Sequence, residues 1–162
     1  MTEPGATAKW TFADLAAVAA RFIVGGLFVY MGLTKALHPV EFLKLVRQYE
    51  LVHNSTLLNA IAALLPWIEV FCGVLLVSGI AVRGTALTMF AMLVPFTLAV
   101  AHRAWGIHAL QSIPLCAVKF DCGCGNGEVL ICRKVVENSA LILLALWLTL
   151  KSSHRFCVRS RL

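Results

Sequence analysis

The sequence predicts an all-α membrane protein. The expected fold is a four-transmembrane-helix antiparallel bundle, with a short amphipathic helix after helix one and a Cys-rich loop before helix four. Three observations carry this expectation. Hydrophobic residues make up 60% of the 162 positions, where a globular domain has about 45–50%. Charged residues are 14% and mean hydropathy is +0.85, against about 25% charged in soluble proteins. Four apolar stretches have the length of a membrane span, since a hydrocarbon core of about 30 Å takes roughly 20 residues of helix. These values exclude a disordered chain, a coiled coil and nearly every soluble enzyme.

Taken in order, the chain opens with an arm over residues 1–13, and the first span covers about 14–37. It is too long for a signal-peptide core and no small-residue cleavage site follows it, so it is expected to stay in the mature protein. In the connection from Pro39 to Asn59, Phe42, Leu45, Val46 and Tyr49 recur at helical spacing between Glu41, Lys44 and Arg47. That pattern predicts an amphipathic helix lying at the interface. The second and third spans, about 60–82 and 84–101, are joined by little more than Val82, Arg83 and Gly84 and form a tight hairpin. A Cys-rich loop over 102–134 precedes the fourth span, about 135–150, and a basic tail fills 151–162.

An even number of spans puts both termini on one side. Lys151, Arg155, Arg159 and Arg161 crowd just after helix four, and positive charge close to helix ends marks the cytoplasmic face. The reading is a bacterial inner (plasma) membrane protein with cytoplasmic termini and the Cys-rich loop in the periplasm or outside the cell. The net charge of +6 goes to these flanks. No dense basic stripe points to nucleic acid, and the lipid bilayer is the expected partner. Trp10 and Trp105 fit interface anchors on opposite faces.

Cys116, Cys122, Cys124 and Cys132 sit within the loop. Four cysteines in an oxidising compartment suggest disulfides, with three possible pairings. The Cys122-Gly123-Cys124 unit is the sharp feature. One intervening Gly lets the sulfurs meet in a small, bent ring, and Gly123, Gly125 and Gly127 supply the backbone freedom. Strained, exposed disulfides exchange readily. Lys119 would favour a thiolate there and Asp121 would oppose one. Three readings stand side by side. The loop carries two structural disulfides, or the CGC unit is a working dithiol/disulfide with Cys116 and Cys132 as a second pair. In the third, the cluster holds a soft metal with His102 or His108. The spacing is not that of a zinc ribbon, so no metal ligand is assigned. Cys72 reads as a small core residue of helix two, and Cys157 as a free thiol of the tail.

Ionisable residues inside a span are costly and usually paired. Arg21 in helix one and Glu69 in helix two are expected to pair within the bundle, beside a helix break at Pro66. At the opposite face Lys35, Glu137 and Asn138 are expected at similar depth, with a Lys35–Glu137 contact tying the loop to the bundle. Gly25, Gly26, Gly32, Gly73 and Gly79 would allow close helix approach.

Several of these residues carry a resemblance. They are Arg21, Gly25, Gly32-Leu33-Thr34-Lys35, Pro39, Tyr49, Pro66-Trp67-Ile68-Glu69, Gly73, Cys122-Gly123-Cys124-Gly125 and Asn138. Over about Arg21 to Leu150 the chain resembles the methylamine-utilisation MauE family, within the DoxX-like superfamily of four-helix membrane proteins. The family often shows Cys-Gly-Cys-Phe-Gly, and Gly125 stands here in place of the Phe. The resemblance implies support for making methylamine dehydrogenase, whose small subunit is rich in disulfides, or membership of a membrane redox complex.

Two main functions follow as expectations. One is a thiol-disulfide carrier in which Cys122 and Cys124 exchange with a periplasmic thioredoxin-like or disulfide-rich protein, with quinone as a candidate electron acceptor. The other is a non-catalytic anchor or assembly subunit of a larger redox complex. A soft-metal carrier is third.

Overall fold

The computed structural model describes residues 11–123 and 127–151. Helix α1 spans Phe12–Leu37, α2 Pro39–Gln48, α3 Ser55–Ser78, α4 Val82–Gln111 and α5 Ile131–Leu150. Between α4 and α5 lie a 3-10 turn at Leu115–Ala117 and two short strands, β1 Lys119–Asp121 and β2 Glu128–Leu130.

Local chemistry sets the helix ends. Thr11 and Asp14 form a reciprocal capping box at the start of α1, satisfying two amide groups that the helix leaves open. Pro39 occupies the first turn of α2, where its missing N–H costs nothing. The Asn54 side chain accepts from the amides of Thr56 and Leu57 at 2.9 and 3.2 Å and starts α3. Gly79 ends α3 in the left-handed region at φ 76°, a conformation that favours glycine. α4 begins three residues later, so α3 and α4 form a hairpin.

α1 packs chiefly on α3, and α4 chiefly on α5. The α1–α3 seam is made by glycines. A methyl group added at Gly73 would lie 2.7 Å from the Gly25 carbonyl oxygen, and one at Gly32 would lie 2.7 Å from the Pro66 carbonyl oxygen. Gly26, by contrast, has open space around it and takes no part in the seam. Val24, Leu76, Ala86, Met89 and Leu148 fill the main core, and all are fully buried.

A second apolar cluster joins Val100 and Ala104 of α4 to Val118, Phe120, Cys122 and Ile131. It explains why α4 continues ten residues past the expected end near Ala101, to Gln111. The added turns bury Ala104 against the loop, and Ile107 packs on the same cluster. The loop itself is more ordered than the sequence implies. β1 and β2 pair antiparallel, with Phe120 opposite Val129 and Asp121 opposite Glu128. The Ile131 amide then donates to the Val118 carbonyl at 3.1 Å, leading directly into α5.

Among the described residues, α1, α3 and α4 are long and apolar enough to cross a membrane. Phe22, Ile23, Leu64, Trp67, Phe71 and Leu98 point outward from them, exposed, as side chains facing hydrocarbon would. α5 carries Arg133, Lys134 and Glu137 in its first two turns.

Candidate functional site

The polar centre of the fold is an ion pair different from the one expected. Lys35 Nζ donates to both Glu69 carboxylate oxygens, at 2.6 and 2.7 Å, and both residues are buried. Arg21 does not reach Glu69. Its Nε donates to the Leu76 carbonyl at 3.1 Å and its Nη2 to the Val77 carbonyl at 3.2 Å. The cation therefore sits on the last carbonyls of α3, at the negative end of the helix dipole; the Leu76 carbonyl also accepts from the Gly79 amide at 3.2 Å.

Helix register gives the reason. Gly25 lies against Gly73 and Val77, and Gly32 against Pro66 and Val70. Continuing that antiparallel register puts Arg21 level with the end of α3. Glu69 is then about ten residues away along the seam, roughly 15 Å at 1.5 Å per residue. Lys35 falls about one turn from Glu69. Because side chains tilt toward their own helix N-terminus, the two lean toward each other.

The expected Lys35–Glu137 contact is also absent. Glu137 is held on its own helix by Arg133 at 2.8 Å and Lys134 at 3.8 Å. The i,i+3 and i,i+4 neighbours are closer at hand than a residue on α1. Asn138, almost fully buried, donates to Thr97 Oγ1 on α4 at 3.2 Å. It still belongs to the polar centre, because Lys35, Glu69 and Asn138 line one small cavity of about 30 Å³ with Phe28, Met31, Met92, Leu93 and Phe96. That is room for about one ordered water. The Phe42 and Phe96 rings lie 5.4 and 5.9 Å from Lys35 Nζ, which adds cation–π attraction to the pair. Thr97 and Phe96 were not singled out from the sequence, because they look like ordinary span residues.

The cysteines divide into two groups. Cys116 and Cys132 are bonded to each other, fastening the 3-10 turn to the first turn of α5. With those two sulfurs spent, and with His108 Nδ1 2.6 Å from the Ile113 carbonyl, the four-thiol metal reading loses half its ligands. Among the described residues no group of three His, Cys, Asp or Glu is placed to hold a metal. Cys122 is itself disulfide-bonded and only 1% exposed. Cys124 and Cys157 lie outside the described residues. Cys72, in α3, is free and buried.

Two backbone groups of the chain at Cys122 are held by side chains. Tyr49 Oη donates to the Cys122 carbonyl at 3.0 Å, and the Gly123 amide donates to Asp121 Oδ1 at 2.8 Å. Gly123 has φ 78° and lies against the Phe42 and Leu45 side chains of α2. A larger residue would meet both the left-handed backbone and that wall. Arg103 braces the far side, over the Tyr49 and Phe120 rings at 5.4 and 5.0 Å, with Nη2 donating to Gln48 at 3.0 Å. Burial pushes the Tyr49 phenol up to about 12, against the pull of Arg103. It therefore stays a donor at neutral pH.

Two pockets flank this segment. An outer one of about 330 Å³ is lined by Thr34, His38, Glu41, Asp121, Gly123 and Gly127. An inner one of about 420 Å³ lies between α2, α3 and α4 and has Cys122 in its wall. Lys35, Phe42 and Leu45 border both.

This arrangement defines a multi-pass, mostly helical membrane protein with a buried ion pair beneath a disulfide-bearing loop. The chain belongs to the family of the methylamine utilisation protein MauE, whose family model matches residues 13–151. No curated protein and no solved structure matches it significantly.

Proposed function

We propose that the chain is a thiol-disulfide relay of the inner membrane that serves methylamine utilisation, with Cys122 and Cys124 as the working pair. One observation carries the reading. Cys122 belongs to a disulfide separate from the Cys116–Cys132 staple and sits buried between an outer polar pocket and an inner apolar one. In this reading α5 is the fourth span of an antiparallel bundle related to the DoxX-like proteins. The termini are cytoplasmic and the cysteine loop faces the periplasm.

The burial of Cys122 supports one order of events. An incoming thiolate of a periplasmic thioredoxin-like or disulfide-rich protein cannot reach Cys122, so attack falls on Cys124. The Cys122–Cys124 bond breaks, a mixed disulfide forms on Cys124, and Cys122 leaves as a thiolate. The partner's second thiolate then attacks its own sulfur in the mixed disulfide. It leaves as an oxidised protein, and two cysteine thiols remain on this chain.

Cys122→Ser is the test, because it leaves Cys124 as a lone thiol. Its thiolate attacks the disulfide of an already oxidised partner, expels one partner thiolate and forms a mixed disulfide that this chain can no longer resolve, visible as a reductant-sensitive band on non-reducing gels, whereas Cys124→Ser should not give it. A Cys122→Ser/Cys124→Ser variant that supports methylamine-dependent growth as well as the parent overturns the relay. That result would favour a non-catalytic assembly subunit whose stapled loop serves as a docking surface.

A further inference from the structure

The inner cavity is too specific to be a packing defect. At about 420 Å³ it falls in the range of small-molecule sites, roughly 300–1,000 Å³. Its walls are almost wholly apolar, from Leu45, Val52, Leu65, Met92, Pro95 and Phe96 among others. It lies at the seam between α3 and α4, which pack more on α1 and α5 than on each other. The buried Lys35 forms part of its wall. Two of its three N–H groups go to Glu69, and no described residue accepts the third. The remaining polar features of the wall are Tyr49 and Cys122, and the Tyr49 hydroxyl is already committed to the Cys122 carbonyl.

We infer that this cavity takes the ring of a lipid-soluble quinone, with a ring carbonyl accepting from Lys35, as electron acceptor for the Cys122 pair. The observations select this chemistry in three ways. The site is apolar and lies between α2 and two of the helices that would cross the membrane, α3 and α4, so its occupant is lipid-soluble. Its open donor is a buried ammonium, so the occupant carries an acceptor oxygen. Its wall includes a cysteine that is already in a disulfide, so the occupant accepts what that pair gives up. The step balances without a further reactant. Two thiols lose two electrons and two protons and form one sulfur–sulfur bond, and the quinone gains both electrons and both protons to become the quinol. The electron supply rests on the relay proposed above, whereas the binding site does not.

The experiment uses the full chain in detergent with lipid. Binding is read by photolabelling with an azidoquinone and peptide mapping, with decylubiquinone and decanol as competitors. Labels should fall on α3 and α4 peptides near Leu65 and Ala99, and decylubiquinone but not decanol should suppress them. Ala99→Trp, which fills the cavity, should cut labelling at least tenfold, as should Lys35→Met/Glu69→Leu. Leu98→Trp, on an exposed neighbouring position, should label like the parent. Unchanged labelling in Ala99→Trp overturns the site. Equal competition by decanol also overturns it, because the groove then holds lipid tails. In a second arm, dithiothreitol-reduced protein is mixed anaerobically with decylubiquinone. Re-formation of the Cys122 disulfide with matching loss of quinone absorbance supports the proposal, and labelling without reoxidation overturns its redox role. If dithiothreitol fails to open the Cys122 bond in the parent, the relay fails, while photolabelling still decides the cavity.

Discussion

Removing one member of the Lys35–Glu69 pair should cost far more than removing both. At 2.6–2.7 Å the mutual attraction is about 6 kcal/mol for an effective dielectric constant of about 20, before the cost of burying each ion is subtracted. Breaking a buried pair from one side typically costs about 3–5 kcal/mol. Lys35→Met and Glu69→Gln each strand one buried partner, so each single change should fall in that range. Lys35→Met/Glu69→Leu should recover to within about 1–2 kcal/mol of the parent, because no charge is then stranded. Unfolding in mixed micelles with increasing sodium dodecyl sulfate, followed by far-UV circular dichroism, measures all three. The reasoning is refuted if Glu69→Gln lies within about 1 kcal/mol of the parent, or if the double variant is no more stable than the singles.

Three further outcomes are expected. Gly73→Ala should lose about 1–3 kcal/mol, because its methyl would press on the Gly25 carbonyl at 2.7 Å, whereas Gly26→Ala should be neutral or slightly stabilising in open space. The same micelle titration compares them. Cys116→Ser/Cys132→Ser opens a loop with a sequence separation of 16 and should cost about 2–4 kcal/mol. It should also speed trypsin cleavage at Lys119 while leaving the Cys122 bond reducible, as alkylation after reductant would report. The raised Tyr49 phenol makes stability pH-dependent at the alkaline end. The unfolded chain ionises from about 10 and the folded one from about 12, so this contribution is intact below 10 and fades as pH rises through 12. Absorbance near 295 nm should show a phenolate step close to 12 that Tyr49→Phe removes.

Much of the fold was legible because the strongest signal, long apolar runs, is the one a bilayer imposes. The amphipathic spacing of Phe42, Leu45 and Val46 located α2, and the short connection at Val82 located the α3–α4 hairpin. What the sequence hid was the cysteine loop. The hairpin of Lys119–Asp121 with Glu128–Leu130 is too short for alternation to register as strand. The last turns of α4 contain His102, Arg103 and Trp105 and read as loop, although Val100 and Ala104 are buried on one helical face. The Tyr49 clamp on Cys122 joins residues 73 positions apart, a distance at which no local pattern operates.

The ion pair shows what depth counting lacks. Measured inward from the span ends, Arg21 and Glu69 sit at compatible depths, and opposite charges invite pairing. That count assumes that α1 and α3 start and stop together. They do not. α3 ends at Ser78, and the Gly25–Gly73 contact brings that end level with Arg21, two turns inside α1. Glycine seams set register by backbone contact to within one residue, whereas apolar length sets it only to within a turn or two. Reading Gly25, Gly32 and Gly73 as register marks would have moved Arg21 onto the α3 carbonyls and left Glu69 to Lys35. The same shift places the charged pair beneath Cys122 rather than at the other end of the helices. That placement lets one buried lysine border the outer pocket, the small polar cavity and the apolar chamber at once.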